Sequence, residues 1–252
     1  MIIELFGAPG AGKTTFAHAL LQRLRATGHI AEAVVSNRPA EHLGATIEHG
    51  CMRKLFALPG RLAKPVGEMG MILCDPGTRN QPWARLLALD PPVGVLWRLR
   101  LSQYLMRLSH SWTRASRADH IVLFDQGFVQ AVCSLILVGR RDLDADLLEK
   151  LIGAIPTADL TVNISAPRNL LEERLRQRFR RQSPMERLLE LDLETNLHSI
   201  AVIDGLDGVL RKNGRTVVSA SSLDQASLWE SLATIQRLLD DRKRSEHTAV
   251  CH

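Results

Sequence analysis

The feature that most constrains the fold of this chain is the glycine-rich segment 7–15, GAPGAGKTT, which follows the apolar run IIELF. Glycines let such a turn bring backbone N–H groups close to phosphate oxygens, because side chains there would block the approach. The segment FAHALLQRLRATG that follows predicts a helix, whose N-terminus favours an anion. The order strand, glycine-rich turn and helix therefore predicts a loop that binds a nucleoside triphosphate or a similar polyphosphate. The segment fits the pattern G-x-x-x-x-G-K-[ST] at Gly7, Gly12, Lys13 and Thr14.

The residues of this loop have distinct expected roles. Lys13 is expected to reach the β- and γ-phosphates as a point charge, and the Thr14 hydroxyl is expected to ligate Mg²⁺. The loop amides and the first residues of the helix complete the predicted nucleotide site. Its further members are Gly7, Gly10, Ala11, Gly12 and Thr15.

Short apolar runs alternate with helical stretches along the rest of the chain. Because the runs are continuously apolar, they predict strands buried on both faces, and hence a parallel sheet covered by helices on both sides. Together with the loop, this pattern predicts the three-layer α/β fold of the P-loop NTPases, with five strands. The strands are predicted at 1–6, 33–36, 120–124, 160–165 and 216–220, and the helices at 13–27, 93–117, 128–138, 144–153, 168–180, 185–211 and 223–243.

Composition narrows the function classes. The net charge of +5 favours anionic ligands, although such a balance does not by itself select nucleic acid over nucleotide. The longest apolar runs are too short to span a bilayer, so we expect no membrane partner. The cysteines are scattered without metal-ligand spacing, which predicts reduced thiols in the cytoplasm. They are Cys51, Cys74, Cys133 and Cys251.

The segment HIVLFDQG at residues 120–127 carries a second candidate site residue. Its apolar run ends in Asp125, as in the Walker B strand that lies beside a phosphate-binding loop. An Asp in this place can hold Mg²⁺ directly or through water, or accept the proton of an attacking hydroxyl. The alternative is that Asp125, followed closely by Gly127, is only a turn residue.

The segment 166–184 is dense in arginine. Arg174, Arg178 and Arg181 recur at helical spacing and share one face of a predicted helix. Planar guanidinium groups grip phosphate in a bidentate manner, and an Arg on a mobile lid stabilises charge during phosphoryl transfer. We therefore predict a lid at 174–184, with Arg174 binding the nucleotide and Arg178 acting in catalysis. A solvated helix and a nucleic-acid patch are the alternatives, although Phe179 is the one aromatic residue of this segment that could stack on a base.

Taken in order, these segments resemble the P-loop nucleoside and nucleotide kinases, and the thymidylate kinases in particular. The segment NISAPRNLLEERLRQR matches their strand, Pro-containing turn and helix, with Glu173, Arg174, Arg176 and Arg178 at the E-R-x-R-x-R positions. The resemblance implies ATP as phosphoryl donor, Mg²⁺ as metal cofactor, Asp125 at the catalytic position and a lid closing over the triphosphate.

The chain departs from that family on the acceptor side. Gln126 stands where the family usually carries an Arg that touches a phosphate of the acceptor. The segment SNRPAEH resembles the family's acceptor loop without its glycines. The missing Arg argues against a nucleoside monophosphate as acceptor and favours a sugar, an antibiotic or another small alcohol, while a nucleoside or nucleotide stays an alternative. We predict Arg38, Gln126 and Phe128 as acceptor-binding residues, although core packing is the alternative for Phe128.

The whole pattern predicts an ATP- and Mg²⁺-dependent kinase of a small molecule. A nucleotide-binding ATPase or regulatory protein without kinase activity is the alternative. We expect no nucleic-acid partner, and a homodimer is compatible with the sequence. The predicted organisation is one domain at 1–243, with an irregular acceptor-side insertion at 37–92 and a flexible tail at 244–252.

Overall fold

A computed structural model of the protein describes residues 1–35, 81–89, 94–139, 144–181 and 191–250. Their centre is a sheet of five parallel strands in the order β2-β3-β1-β4-β5. The three-layer α/β fold that the sequence predicts is confirmed. The strands are β1 Ile2–Phe6, β2 Ala31–Val34, β3 Ile121–Phe124, β4 Leu160–Ser165 and β5 Val217–Ser221. The helices in the described ranges are α1 Lys13–Ala26, α2 Pro82–Leu89, α3 Val95–Ala115, α4 Phe128–Gly139, α5 Ala145–Ala154, α6 Arg168–Arg181, α7 Leu193–Lys212 and α8 Gln225–Val250.

The central strands β1 and β3 are buried on both faces, and their alternate residues contribute to different cores. Ile2 and Phe6 of β1 belong to a core shared with α3, α4, α5 and α7. Ile3 and Leu5 belong to a second core shared with α1 and α8. Successive side chains of a strand point to opposite faces, so β1 and β3 each supply both cores. The Glu4 side chain points to the same face of the sheet as those of Ile2 and Phe6, and it faces α4.

Two predicted elements differ from the structure, and a third ends later than expected. Part of the insertion at 37–92, predicted as irregular, is the helix α2, which begins with a proline and buries Trp83 and Leu86. Residues 185–190 of the predicted helix 185–211 lie outside the described chain, and α7 begins at Leu193. It begins there because the Asp192 carboxylate caps it by accepting from the Thr195 amide at 2.7 Å. Helix α8 continues to Val250, beyond the predicted end at 243.

The sheet order places the two candidate motifs next to each other. β1 is the central strand and pairs with β3, so both carboxyl ends meet at one edge of the sheet. The glycine-rich loop follows β1 and Asp125 follows β3 at this edge. None of the helices that the structure describes combines the length and apolar content needed to cross a bilayer.

Candidate nucleotide site

The glycine-rich loop joins β1 to α1, and its glycines are required where the chain turns. Gly10 and Gly12 have φ of 85° and 94°, a left-handed conformation that favours glycine. A Cβ on Gly7 would overlap the backbone carbonyl oxygen of Ile164 on β4. A Cβ on Gly12 would overlap the Ser222 hydroxyl. The loop therefore runs so close to β4 and to the end of β5 that only glycine fits.

Side chains from several elements brace the loop through its carbonyl oxygens. Lys13 is buried, and its Nζ donates to the carbonyls of Gly7 at 2.6 Å and Ala8 at 3.0 Å. Arg174 Nη1 donates to the Gly10 carbonyl at 2.9 Å. The Ser222 hydroxyl donates to the carbonyl of the buried Ala11 at 3.0 Å. Ser222, which follows β5 far along the chain, was not among the residues predicted for the site.

Thr14 and Asp125, the two predicted metal ligands, lie together. The Thr14 hydroxyl donates to Asp125 Oδ2 at 3.5 Å, and Asp125 is almost fully buried. Two oxygen ligands of one Mg²⁺, each about 2.1 Å from the ion, lie within about 4.2 Å of each other. A hydroxyl and a carboxylate at this separation therefore fit Mg²⁺, which also takes phosphate and water ligands.

The turn after Asp125 rests on a buried carboxylate that the sequence reasoning missed. Glu4 on β1 is fully buried, and its Oε2 accepts from the Val129 amide at 3.3 Å. A Cβ on Gly127 would overlap this carboxylate, which explains the glycine in the DQG turn. Desolvation by burial raises the pKa of Glu4 to about 7, while the Val129 amide, the Arg215 charge and the Phe128 amide lower it by less.

A second missed residue, Gln130 of α4, contacts the glycine-rich loop directly. Its Oε1 accepts from the Gly7 amide at 3.1 Å, and the side chain is buried. Its partner is 123 residues away in the sequence, so no local pattern could have indicated the contact.

Helix α6 carries the predicted arginines, of which some line the cleft and others are exposed to solvent. Arg174 and Arg178 are half-buried and line the same cleft as the glycine-rich loop. Arg176 pairs with Glu172 on the exposed side, and Arg180 is exposed. The arrangement places two guanidinium groups opposite Lys13 and Thr14. Closure of this helix as a lid remains a prediction, and residues 182–184 of the predicted lid lie outside the described chain.

The loop, the Asp125 turn and α6 enclose a cleft of about 450 Å³. Gln126, predicted on the acceptor side, is one of its walls, and its carbonyl accepts from the Tyr104 hydroxyl at 3.3 Å. The residues of the cleft are Pro9, Gly10, Gly12, Lys13, Thr14, Thr15, Gln126, Arg174, Arg178 and Ser222.

The other predicted acceptor residues do not join this cleft in the described chain. Phe128 is fully buried and packs edge-on against Trp112, with ring centroids 5.3 Å apart. The ring is a core side chain because α4 turns it towards α3, which corrects its prediction as an acceptor contact. Arg38 lies outside the described residues.

A larger cleft, of about 770 Å³, opens at the opposite edge of the sheet, before β4 and β5. Its arginines are engaged by the fold itself. Arg215 donates to the Ile152 carbonyl at 2.7 Å and so caps the end of α5, and Arg242 donates to the Asp159 carbonyl at 2.7 Å. Of the predicted site residues that the structure describes, none lines this cleft. The smaller cleft is therefore the candidate site.

No protein-family model matches the chain. No curated protein matches it either. Among solved structures, it is similar to deoxyadenosine kinase from M. mycoides. The structure of that kinase with the products dCMP and a flexible dCDP has 13% identity and a TM-score of 0.49, covering 96% of this chain and 100% of that one. The structure with dATP has 13% identity and a TM-score of 0.49 (95% and 100% covered), and that with dCTP has 12% and 0.46 (96% and 100% covered).

Proposed function

We propose that this protein is an ATP- and Mg²⁺-dependent kinase that transfers the γ-phosphoryl group to a small-molecule acceptor. The observation that carries the proposal is the meeting of Thr14 and Asp125, 3.5 Å apart, beside the glycine-rich loop. Two motifs separated by more than 100 residues in the sequence thus supply the hydroxyl and the carboxylate that a triphosphate site needs. Arg174 and Arg178 of α6 line the same cleft.

Each residue of the site has a role that follows from its place. Lys13 exchanges its loop carbonyls for phosphate oxygens and holds the transferring group. Arg174 and Arg178 offset the negative charge that spreads over the phosphoryl oxygens. Asp125 orients the acceptor hydroxyl or the metal shell, and Thr14 and Asp125 would hold Mg²⁺, which would neutralise charge on the phosphates when bound. Phosphoryl transfer requires positioning and charge stabilisation more than covalent chemistry, and these residues supply both.

Gln126 on the acceptor side of the cleft supports the proposal that the acceptor carries no phosphate next to this residue. Gln126 offers hydrogen bonds but no charge, whereas the resembled kinases usually place an Arg there. We propose nucleosides, sugars and other small alcohols as the first acceptors to test, with nucleoside monophosphates as the comparison. Cytoplasmic location, a single domain at 1–243 and a thymidylate-kinase-like subtype remain proposals from the sequence.

The experiment is a measurement of ADP release from ATP and Mg²⁺, across nucleosides, nucleoside monophosphates and sugars. Release that depends on one acceptor class and is lost in Lys13→Ala would support the kinase. Steady release without any acceptor would favour the ATPase alternative. Absence of both nucleotide binding and ADP release would overturn the proposal.

A further inference from the structure

Two buried hydrogen bonds connect the segment of β1 and the glycine-rich loop with the start of α4, and each segment donates one of them. Glu4 on β1 accepts from the backbone of α4 at Val129, 3.3 Å away. Gln130, the next residue of α4, accepts from the backbone at Gly7, three residues after Glu4, at 3.1 Å. Each segment thus contributes one side-chain acceptor and one backbone donor. We call this pair of residues, Glu4 and Gln130, the β1–α4 clamp.

The clamp lies between the two turns that form the candidate metal site. Gly7 opens the loop that leads to Thr14, and Val129 follows four residues after Asp125. The Glu4 carboxylate also lies against Gly127, in the turn that carries Asp125. Any shift of the loop relative to this turn would stretch one of the two bonds. Both bonds are buried, so water cannot readily replace them.

The burial of a carboxylate here needs a reason beyond packing. Of the two Glu4 oxygens, Oε1 has no hydrogen-bond partner within the described part of the chain. An apolar side chain would fill the same strand position at lower cost, because a buried polar atom without a partner is destabilising. A polar residue that costs stability is expected where its remaining contact serves the site.

We propose that Glu4 and Gln130 are positioning residues that hold Thr14 and Asp125 at the separation required by a nucleotide-bound Mg²⁺. This inference rests on the proposed function, because it assumes that Mg²⁺ binds with the nucleotide. It adds residues that contact neither nucleotide nor metal in the proposed site. Residues that orient metal ligands in this way typically change metal affinity by about 10- to 100-fold when removed.

The test uses ADP binding rather than turnover. The dissociation constant of ADP is measured once with Mg²⁺ and once with EDTA. The ratio of the EDTA value to the Mg²⁺ value is the gain in ADP affinity that depends on Mg²⁺, called here the Mg²⁺-dependent gain. We expect Glu4→Ala and Gln130→Ala each to lower this gain by about tenfold. Glu4→Gln keeps an acceptor oxygen for Val129 and should stay within about twofold of the wild type.

The matched control is Asp159→Ala. Asp159 Oδ2 accepts from the Ile2 amide at 2.6 Å, so it makes a similar carboxylate–amide bond at the opposite end of β1. This variant should lower the free energy of unfolding without changing the Mg²⁺-dependent gain. If Glu4→Ala and Gln130→Ala behave like this control, the two residues are only structural and the clamp is overturned.

The double variant gives an independent outcome. If both bonds act as one clamp, breaking the second should add little to the loss of gain caused by the first. Fully additive losses would overturn the clamp. Circular dichroism establishes whether each variant folds. If Glu4→Ala does not fold, the comparison of Gln130→Ala with Asp159→Ala tests the clamp. Wild-type protein without any Mg²⁺-dependent gain would overturn the proposed function, whereas a wild-type gain that no variant changes would overturn the clamp alone.

Discussion

The residue whose charge the site depends on most is Lys13. The Lys13 side chain is buried against the glycine-rich loop. A lysine in an exposed loop would instead extend into solvent. We expect Lys13→Ala to lower turnover by about 10²-fold or more, by analogy with the loss of one transition-state donor. The variant also loses the bonds to Gly7 and Ala8, so the free energy of unfolding should fall by about 1–2 kcal/mol.

Steady-state kinetics and urea unfolding measure the two effects of this substitution. Lys150→Ala on α5 is the control, because this lysine is exposed and remote from the cleft. A folded Lys13→Ala variant with wild-type turnover would contradict the assigned role of the lysine.

Asp125→Asn tests whether the carboxylate is functional or merely ends a strand. The substitution keeps the shape but removes the charge and the basicity next to Thr14. We expect ATP affinity measured without Mg²⁺ to change modestly and the chemical step to slow strongly, as equilibrium binding and single-turnover measurements would show. A loss of stability with an unchanged chemical step would make Asp125 a turn residue.

At the scale of elements, α6 presents its arginines to different surroundings. Arg178 lines the cleft and Arg180 is exposed, so the two provide a test within one helix. We expect Arg178→Ala to lower turnover more than it weakens ATP binding, because its charge acts most fully in the transition state. Arg178→Lys should not restore turnover well, since a point charge lacks the bidentate geometry.

Arg180→Ala is the internal control for this helix and should retain turnover. A nucleic-acid patch would behave differently, because both alanine variants would weaken RNA binding about equally and flatten its salt dependence. Equal effects on turnover at Arg178 and Arg180 would argue against a phosphate-gripping helix.

The turn between β3 and α4 depends on glycine because Glu4 lies against it. Gly127→Ala should destabilise the protein by about 1–3 kcal/mol, since the new Cβ overlaps the Glu4 side chain. Gly153→Ala is the control, because a Cβ at that helical position meets nothing within 4 Å. Thermal unfolding of both variants measures the difference in stability. Equal melting temperatures would show that the turn can shift enough to avoid the overlap with Glu4.

Elements with strong local patterns were predictable from the sequence, and contacts between distant segments were not. The five strands were predicted from short, mostly apolar runs, and their predicted positions are confirmed within a few residues. Helix α2 was missed because its eight residues lie in a Gly- and Pro-rich stretch. Glu4 was missed because its hydrogen-bond partner lies 125 residues away, and a single acidic residue in an apolar strand predicts no contact.

The buried Glu4 makes the stability of the protein depend on pH. Its folded pKa of about 7 exceeds the ordinary value of 4.5, so the folded protein binds more protons between these values. Stability therefore falls as pH rises from about 4.5 to about 7, by an amount on the order of 3 kcal/mol, and then levels off.

Urea unfolding at several pH values measures this dependence. Glu4→Gln carries no titrating group, so its curve should be flatter than that of the wild type over the same range. Curves that run parallel for the two proteins would show that Glu4 does not titrate with a raised pKa.

The bracing of the glycine-rich loop has a consequence for how fast a nucleotide binds. Four loop carbonyls accept hydrogen bonds from side chains of the protein itself, namely Lys13, Arg174 and Ser222. A loop fixed in this way has already lost its conformational freedom, so binding need not order it. An arriving phosphate only has to exchange partners with Lys13. Association should therefore proceed in a single concentration-dependent phase, limited by encounter rather than by folding of the loop.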